Sequence, residues 1–220
     1  MRLRNTYQKT VFKRHITVRQ KSALQYAYCL NNPVRNIDLR GDSVTVLNLN
    51  SGQHMAMLIQ NDAGKWQYFS VNGDNVYSSG SHTGGREFDD LAVGEWDSPQ
   101  QFMDSYYNQA GDKDDKSVNN YGFTEGYVIP TTPEQDNTIR TTFTNNSKNE
   151  EYRLNPLNPN QCATVTQKSL NAAGIETRVT NVSNRWGERI EVKANPYLPS
   201  HAYKAIISNN PNGYKVHKTK

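Results

Sequence analysis

The chain has 220 residues, of which 35% are hydrophobic and 21% are charged, and its formal net charge at pH 7 is +4. This length allows one sizeable core, or one domain with a small appendage. The basic excess is mild and forms no dense stripe of Lys and Arg with interleaved aromatic residues, which argues against nucleic-acid binding. No apolar run reaches membrane-spanning length, no apolar signal-peptide segment follows the basic N-terminus, and two cysteines are too few for a disulfide framework.

The first informative segment is residues 26–41, in which a short strand is closed by an Asn-Asn-Pro turn and a second turn ends in Gly41. The pattern resembles the end of the core associated with RHS repeats, where the variable C-terminal toxin of a polymorphic system begins. Leu39 stands where that family usually has proline. An ordinary tyrosine-rich turn is the alternative interpretation. The positions that match at the family's spacing are Tyr26, Tyr28, Asn31, Asn32, Pro33, Asp38 and Gly41.

Three strands are predicted next. Residues 43–49 are rich in β-branched side chains, which is typical of a strand. His54 leads an almost wholly apolar run to Ile59, and such a run indicates a central strand buried on both faces. Residues 61–64 predict a hairpin loop and residues 65–71 the returning strand.

The middle of the chain alternates between loop and helix signals. Residues 74–95 are rich in Gly, Ser and Asp and predict a long loop. Residues 98–101 and 132–135 each place Ser or Thr at a helix cap, Pro at the first helical position and Gln three residues after the cap. Residues 126–129, between these two helix starts, predict a short strand.

The last third begins with a helix that we expect to start around Gln161 and to end at Gly174, a residue suited to a C-terminal cap. Short strands are predicted at residues 177–180 and 189–192. From residue 196 onward the chain reads as a polar C-terminal tail with one possible short helix.

Cys162 in the first turn of that helix is the candidate nucleophile. The free N–H groups and the dipole at a helix N-terminus favour a thiolate there. Asn160 and Gln161 directly precede it, and either side chain could donate to an oxyanion together with the Cys162 N–H. Helix capping is the equally good alternative for both. Cys29, the other cysteine, is interpreted as a packing residue or a reduced thiol.

A nucleophilic cysteine needs a base, and the base needs an orienting group. Among five histidines, only His54 begins a strongly hydrophobic strand that could aim its ring; a backbone-bonded histidine at a strand end is the alternative. Folding the hairpin back at residues 61–64 places His54 opposite residues 70–72. Asn72 is the favoured orienter, Ser70 is a second candidate and Asp74 is held in reserve. No metal-ligand spacing occurs, so neither a metal nor another cofactor is expected.

The order of the parts, histidine hairpin before cysteine helix, resembles the circularly permuted papain-like group, which includes permuted NlpC-type amidases and lecithin–retinol-acyltransferase-like proteins. The resemblance is carried by residues 52–59, the hairpin through residues 66–70, and Asn160-Gln161-Cys162 with its helix. It implies an α+β fold with an antiparallel sheet packed against the helix that carries Cys162. The implied organisation is an RHS-core junction at residues 1–41, a papain-like toxin domain at 42–195 and a polar tail at 196–220.

The two resemblances together imply an antibacterial-type toxin that hydrolyses a peptide, peptidoglycan-peptide or acyl bond through Cys162 and His54. The expected partners are a cognate immunity protein, the RHS shell with its secretion machinery, and a protein or peptidoglycan substrate. Neither nucleic acid nor a membrane span is expected, and we expect secretion or delivery into a target cell. A deamidase or acyltransferase on the same Cys–His pair, or a non-enzymatic binding domain, are the alternatives.

Overall fold

Six antiparallel strands form the main sheet of the computed structural model, which describes residues 43–49, 54–72, 90–111, 117–119, 121–149, 152–157, 159–185 and 188–219. The strand order is β4-β3-β2-β1-β5-β8, and β6 pairs with β7 in a separate hairpin. The described residues belong to one compact unit, Asp42–Lys220. The strands are β1 (Ser43–Asn48), β2 (Met55–Gln60), β3 (Trp66–Ser70), β4 (Asp90–Trp96), β5 (Glu125–Pro130), β6 (Val179–Arg185), β7 (Glu188–Ala194) and β8 (Tyr214–His217).

Helices cover both faces of this sheet. The described residues form α1 (Pro99–Met103), α2 (Pro133–Asn149), α3 (Cys162–Ala172) and α4 (Pro199–Asn209). Apolar residues of α2, α3 and α4 share one core cluster with one face of the sheet, and residues of α1 share a second cluster with the other face. The predicted α+β class with an antiparallel sheet is therefore confirmed.

Strand β2 lies in the interior of the sheet, between β1 and β3, and all six of its residues are buried. Met55, Met57 and Ile59 pack toward α2, α3 and α4, whereas Ala56 and Leu58 pack toward α1. Alternate side chains of a strand point to opposite faces, so a strand covered on both sides must be apolar throughout. This confirms the interpretation of the apolar run that follows His54.

The predicted helix starts are present. Ser98 Oγ accepts from the Gln101 N–H at 3.1 Å at the start of α1. Thr132 and Gln135 form a reciprocal capping box at the start of α2, in which each side chain accepts from the other residue's backbone N–H at 3.3 and 3.0 Å. Helix α3 begins at Cys162 and is followed by Gly174 with a φ of 79°. That left-handed conformation explains why glycine ends the helix.

The possible short helix predicted after residue 196 is present, but the segment is not a polar tail. Residues 199–209 form α4, whose Ala202 and Ile206 are fully buried, and β8 adds the last strand to the main sheet beside β5. Residues four apart lie on the same side of a helix, so Ala202 and Ile206 face the core together. A helix this short gives only a weak periodic signal in the sequence. The domain therefore continues beyond residue 195.

The predicted loop at residues 74–95 is too long at its C-terminal end, because β4 begins at Asp90. Ala92 and Gly94 both have positive φ, and the β3–β4 register shifts along the pair. Such irregularities interrupt the alternation by which a strand is recognised in a sequence.

The RHS-like segment 26–41, Cys29 and Asp74 lie outside the described residues.

None of the helices in the described ranges is long and apolar enough to cross a lipid bilayer.

Candidate active site

Cys162 is the first residue of α3, and its side chain is 1% exposed. The thiol is free. Burial raises the pKa of the Cys162 thiol to about 11, and hydrogen bonds from the backbone N–H groups of Met55, Ala163 and Cys162 lower it by less. The expectation of a resting thiolate is therefore wrong. The N–H groups at the helix N-terminus lower the thiol pKa as predicted, but desolvation raises it by more.

His54 immediately precedes β2, and its side chain is 5% exposed. Ring atom Nε2 lies 2.8 Å from Ser70 Oγ. The ring stacks on Tyr121, with 3.7 Å between the ring centroids and 8° between the planes. Burial lowers the pKa of His54 to about 3. The imidazole is thus held neutral and in one plane.

The register of the hairpin explains the contact with Ser70. Met57 pairs with Phe69, so continuing the ladder places His54 opposite Asn72, inside the predicted window of residues 70–72. The ring reaches diagonally to Ser70, which is two residues from Asn72 and therefore on the same face of β3. Asn72 consequently acts on His54 through Ser70 and not by direct contact.

A chain of polar side chains continues from Ser70. Ser70 Oγ donates to Asn72 Oδ1 at 2.8 Å, and Tyr121 Oη donates to the same oxygen at 2.9 Å. Asn72 Nδ2 donates to Asp90 Oδ2 at 3.1 Å. Tyr107 Oη donates to the other Asp90 oxygen at 3.4 Å. Burial raises the pKa of Asp90.

Sequence reasoning missed Asp90 and Tyr121. Asp90 fell in the predicted loop, and Tyr121 lies 49 positions from Asn72 along the chain. No local pattern marks either residue, because their meeting depends on how β4 and the segment before β5 fold back onto the hairpin. Buried amide groups are nearly always hydrogen-bonded, so the sequence indicated only that Asn72 would need further partners and not which residues they are.

The Cys162 sulfur lies beside the backbone of β2. The Met55 N–H that is directed at the Cys162 sulfur belongs to the peptide bond joining His54 to Met55. Within the described residues, no hydrogen bond joins the sulfur to the ring. The predicted nucleophile and base thus lie near one strand end but on opposite faces of the sheet: the His54 ring packs with Tyr121 on the α1 side, and α3 covers the Met55 side. Direct contact between them stays a prediction.

The residues before the nucleophile are tied into the scaffold. Gln161 Nε2 donates to the Tyr197 carbonyl at 2.8 Å, and its side chain makes no capping bond to α3. Asn160 exchanges two backbone hydrogen bonds with Arg153, at 2.8 and 3.0 Å. The predicted capping alternative does not hold for the Gln161 side chain, whereas an oxyanion role for either residue stays a prediction.

The site carries no obvious metal chemistry and no family signature. Within the described ranges, no three His, Cys, Asp or Glu side chains group so as to hold a metal ion. No protein-family model matches the chain, and neither a curated protein nor a solved structure is significantly similar to it.

The neutral His54 gives a prediction about stability and pH. Its folded pKa of about 3 lies below the value of 6.5 for an unperturbed histidine. The unfolded chain therefore takes up a proton as pH falls below 6.5 while the folded chain does not. Acidification from pH 6.5 to 5 is expected to lower the free energy of unfolding by about 2 kcal/mol through this one group. Urea denaturation at the two pH values measures the change.

The matched variants are His54→Gln and His201→Gln. Glutamine at position 54 does not titrate, so this variant is expected to lose about 2 kcal/mol less than the wild type over the same pH range. His201 is exposed on α4, so His201→Gln controls for replacing a histidine by glutamine outside the site. An equal acid destabilisation of wild type and His54→Gln would contradict a buried, neutral His54.

Proposed function

We propose that this domain is a cysteine-dependent hydrolase of amide or acyl bonds, with Cys162 as nucleophile and His54 as general base. The observation that carries the proposal is that the N–H following His54 hydrogen-bonds toward the Cys162 sulfur. Ser70 Oγ lies 2.8 Å from Nε2 of the His54 ring, and the proposal requires Nδ1 of the same ring to reach the sulfur. A nucleophile, a base and a group that orients the base are the parts such chemistry needs.

The proposed reaction has two stages. In the first, the Cys162 sulfur forms a bond to the carbonyl carbon, its proton passes to His54 Nδ1, and the carbonyl oxygen becomes an oxyanion. The bond from carbon to the leaving amine or alcohol then breaks, and His54 returns the proton to the leaving group. A thioester on Cys162 remains. In the second stage, water loses a proton to His54 and attacks that thioester, which releases a carboxylic acid and restores the thiol.

The neutral resting pair fits this sequence. A buried thiolate and a buried imidazolium would each have to pay a desolvation cost before substrate is present. A neutral thiol and a neutral imidazole avoid that cost, and the proton can move as the sulfur–carbon bond forms. Catalytic hydrogen bonds are often long in a free enzyme and shorten when substrate binds.

The toxin assignment rests on the sequence resemblances. The RHS-like junction at residues 26–41 and the order of His54 before Cys162 both favour a delivered toxin domain with a permuted papain-like arrangement. In this proposal the chain leaves its producer through an RHS shell and its secretion machinery, and an immunity protein protects the producer. A peptide or a peptidoglycan peptide is the proposed substrate. Deamidation or acyl transfer would use the same thioester chemistry with a different acceptor.

The burial of both groups favours a second candidate, a non-enzymatic binding domain. A free cysteine is among the most buried residue types and packs well without chemical activity. A neutral histidine stacked on Tyr121 and bonded to Ser70 would likewise serve as a structural core residue. The two candidates differ in whether Cys162 ever carries an acyl group.

Expression of the chain in a bacterial host tests the proposal. The chain is produced once in the cytoplasm and once with an export signal. In each case the control is the Cys162→Ala variant, which lacks the thiol. Growth arrest is expected in one compartment, for the wild type only. Mass spectrometry of cell-wall fragments and of protein termini then identifies the cleaved bond, and a mass change without cleavage indicates deamidation or transfer. Equal growth arrest by the wild type and by Cys162→Ala would overturn the proposed chemistry.

A further inference from the structure

We infer that Asp90 and Tyr121 are positioning residues that hold His54 in the tautomer with its proton on Nε2, so that Nδ1 is the basic nitrogen. The consequence for catalysis rests on the function proposed above. The tautomer itself follows from the hydrogen bonds of the resting protein. It can be measured without substrate.

Asp90 is the charged end of the chain of polar groups. An ionised carboxylate accepts hydrogen bonds and donates none. One Asp90 oxygen faces the Asn72 side chain at 3.1 Å, and the other faces Tyr107 Oη at 3.4 Å. The Asn72 group on the Asp90 side must therefore be its NH₂. Asp90 thereby sets which way the Asn72 amide points.

The orientation of Asn72 sets the direction of the next bond. Its Oδ1 faces Ser70 Oγ at 2.8 Å and Tyr121 Oη at 2.9 Å, and an amide oxygen accepts from both. Ser70 has a single hydroxyl proton, which this bond uses. Ser70 Oγ can then only accept from the ring atom 2.8 Å away, His54 Nε2. Nε2 must therefore carry a proton, and a neutral ring has Nδ1 unprotonated.

Tyr121 acts twice in this arrangement. Its hydroxyl donates to Asn72, and its ring lies flat against His54 with 3.7 Å between centroids. The same residue thus supports the direction of the hydrogen bonds and the plane of the imidazole. Phe123 contacts the His54 ring at a tilt, with 6.0 Å between centroids. Rotation of the ring would lose both the Ser70 bond and the stacking.

The tautomer is measured by two-bond ¹H–¹⁵N correlation spectra of the uniformly labelled protein, with His54 assigned from the signals lost in His54→Gln. We expect a pyrrole-type shift at Nε2 and a pyridine-type shift at Nδ1. A wild-type spectrum with the proton on Nδ1 would overturn the inference.

Two variants separate Asp90 from its surroundings. In Asp90→Asn the new amide can present either its oxygen or its NH₂ to Asn72. The hydrogen bonds from Asn72 through Ser70 to His54 can then have either donor–acceptor direction. A mixture of the two His54 tautomers is therefore expected. Tyr107→Phe removes only the bond to the other Asp90 oxygen and is expected to keep the wild-type tautomer. Asp90→Asn with an unchanged tautomer would also overturn the inference.

Activity provides the second readout. The catalytic rate of Asp90→Asn is expected to fall in proportion to the lost fraction of the competent tautomer, with KM unchanged. The spectra are recorded on Cys162→Ala as well as on the wild type. If Cys162→Ala stays toxic while its His54 tautomer is as inferred, the proposed function fails and the positioning roles stand.

Discussion

Replacing Cys162 by alanine is expected to lower acylation of the domain by p-nitrophenyl acetate by at least about 10³-fold, because the proposal assigns the covalent intermediate to the Cys162 sulfur. Wild-type protein should show a burst of p-nitrophenol and an intact mass increased by one acetyl group. Peptide mapping should place that group on Cys162. Cys162 is the first residue of α3 and its sulfur is nearly completely buried, so a methyl group in its place should leave the helix intact.

Ser169→Ala is the matched control for this substitution. Ser169 is fully buried on the same helix, and its hydroxyl donates to the Val165 carbonyl at 2.8 Å. The change removes one buried polar atom, as Cys162→Ala does, but it lies two turns from the sulfur. Full acylation is expected. A burst of equal size in wild type and Cys162→Ala, or no burst in the wild type, would favour the non-enzymatic binding domain.

Replacing His54 by alanine is expected to lower the rate of acylation by about 10²- to 10⁴-fold, the usual contribution of a general base. Added imidazole should restore part of the lost rate. The variant leaves a space the size of the missing ring between Tyr121 and the Ser70 hydroxyl, the groups that hold His54 in the wild type. A free imidazole can stack on Tyr121 and bond to Ser70 while its second nitrogen accepts the thiol proton.

Two comparisons make the rescue specific. N-methylimidazole has no N–H to donate to Ser70, so it should rescue His54→Ala less well than imidazole does. Imidazole should have no effect on Cys162→Ala, because that variant lacks the nucleophile. His54→Ala with the wild-type rate would exclude His54 as the base, whatever imidazole does.

The elements of the fold were largely predictable because their signals are local. The apolar run of β2 requires cover on both faces, and Thr132 and Gln135 form the capping box that their spacing predicts. Where the prediction failed, the signal was irregular or short. Positive φ at Ala92 and Gly94 breaks the alternation of β4, and α4 and β8 are short elements of 11 and 4 residues.

The sequence by itself determined that Cys162 begins a helix, that His54 begins a buried strand, and that the hairpin returns near residues 70–72. Only the tertiary structure decided how deeply the two groups are buried, and burial reversed the expected charge of the thiol. It also placed Asp90 and Tyr121 behind Ser70 and Asn72. Helix caps and strand registers depend on neighbours a few residues away. Desolvation and the direction of a hydrogen-bond chain depend on side chains that meet only when distant segments pack together.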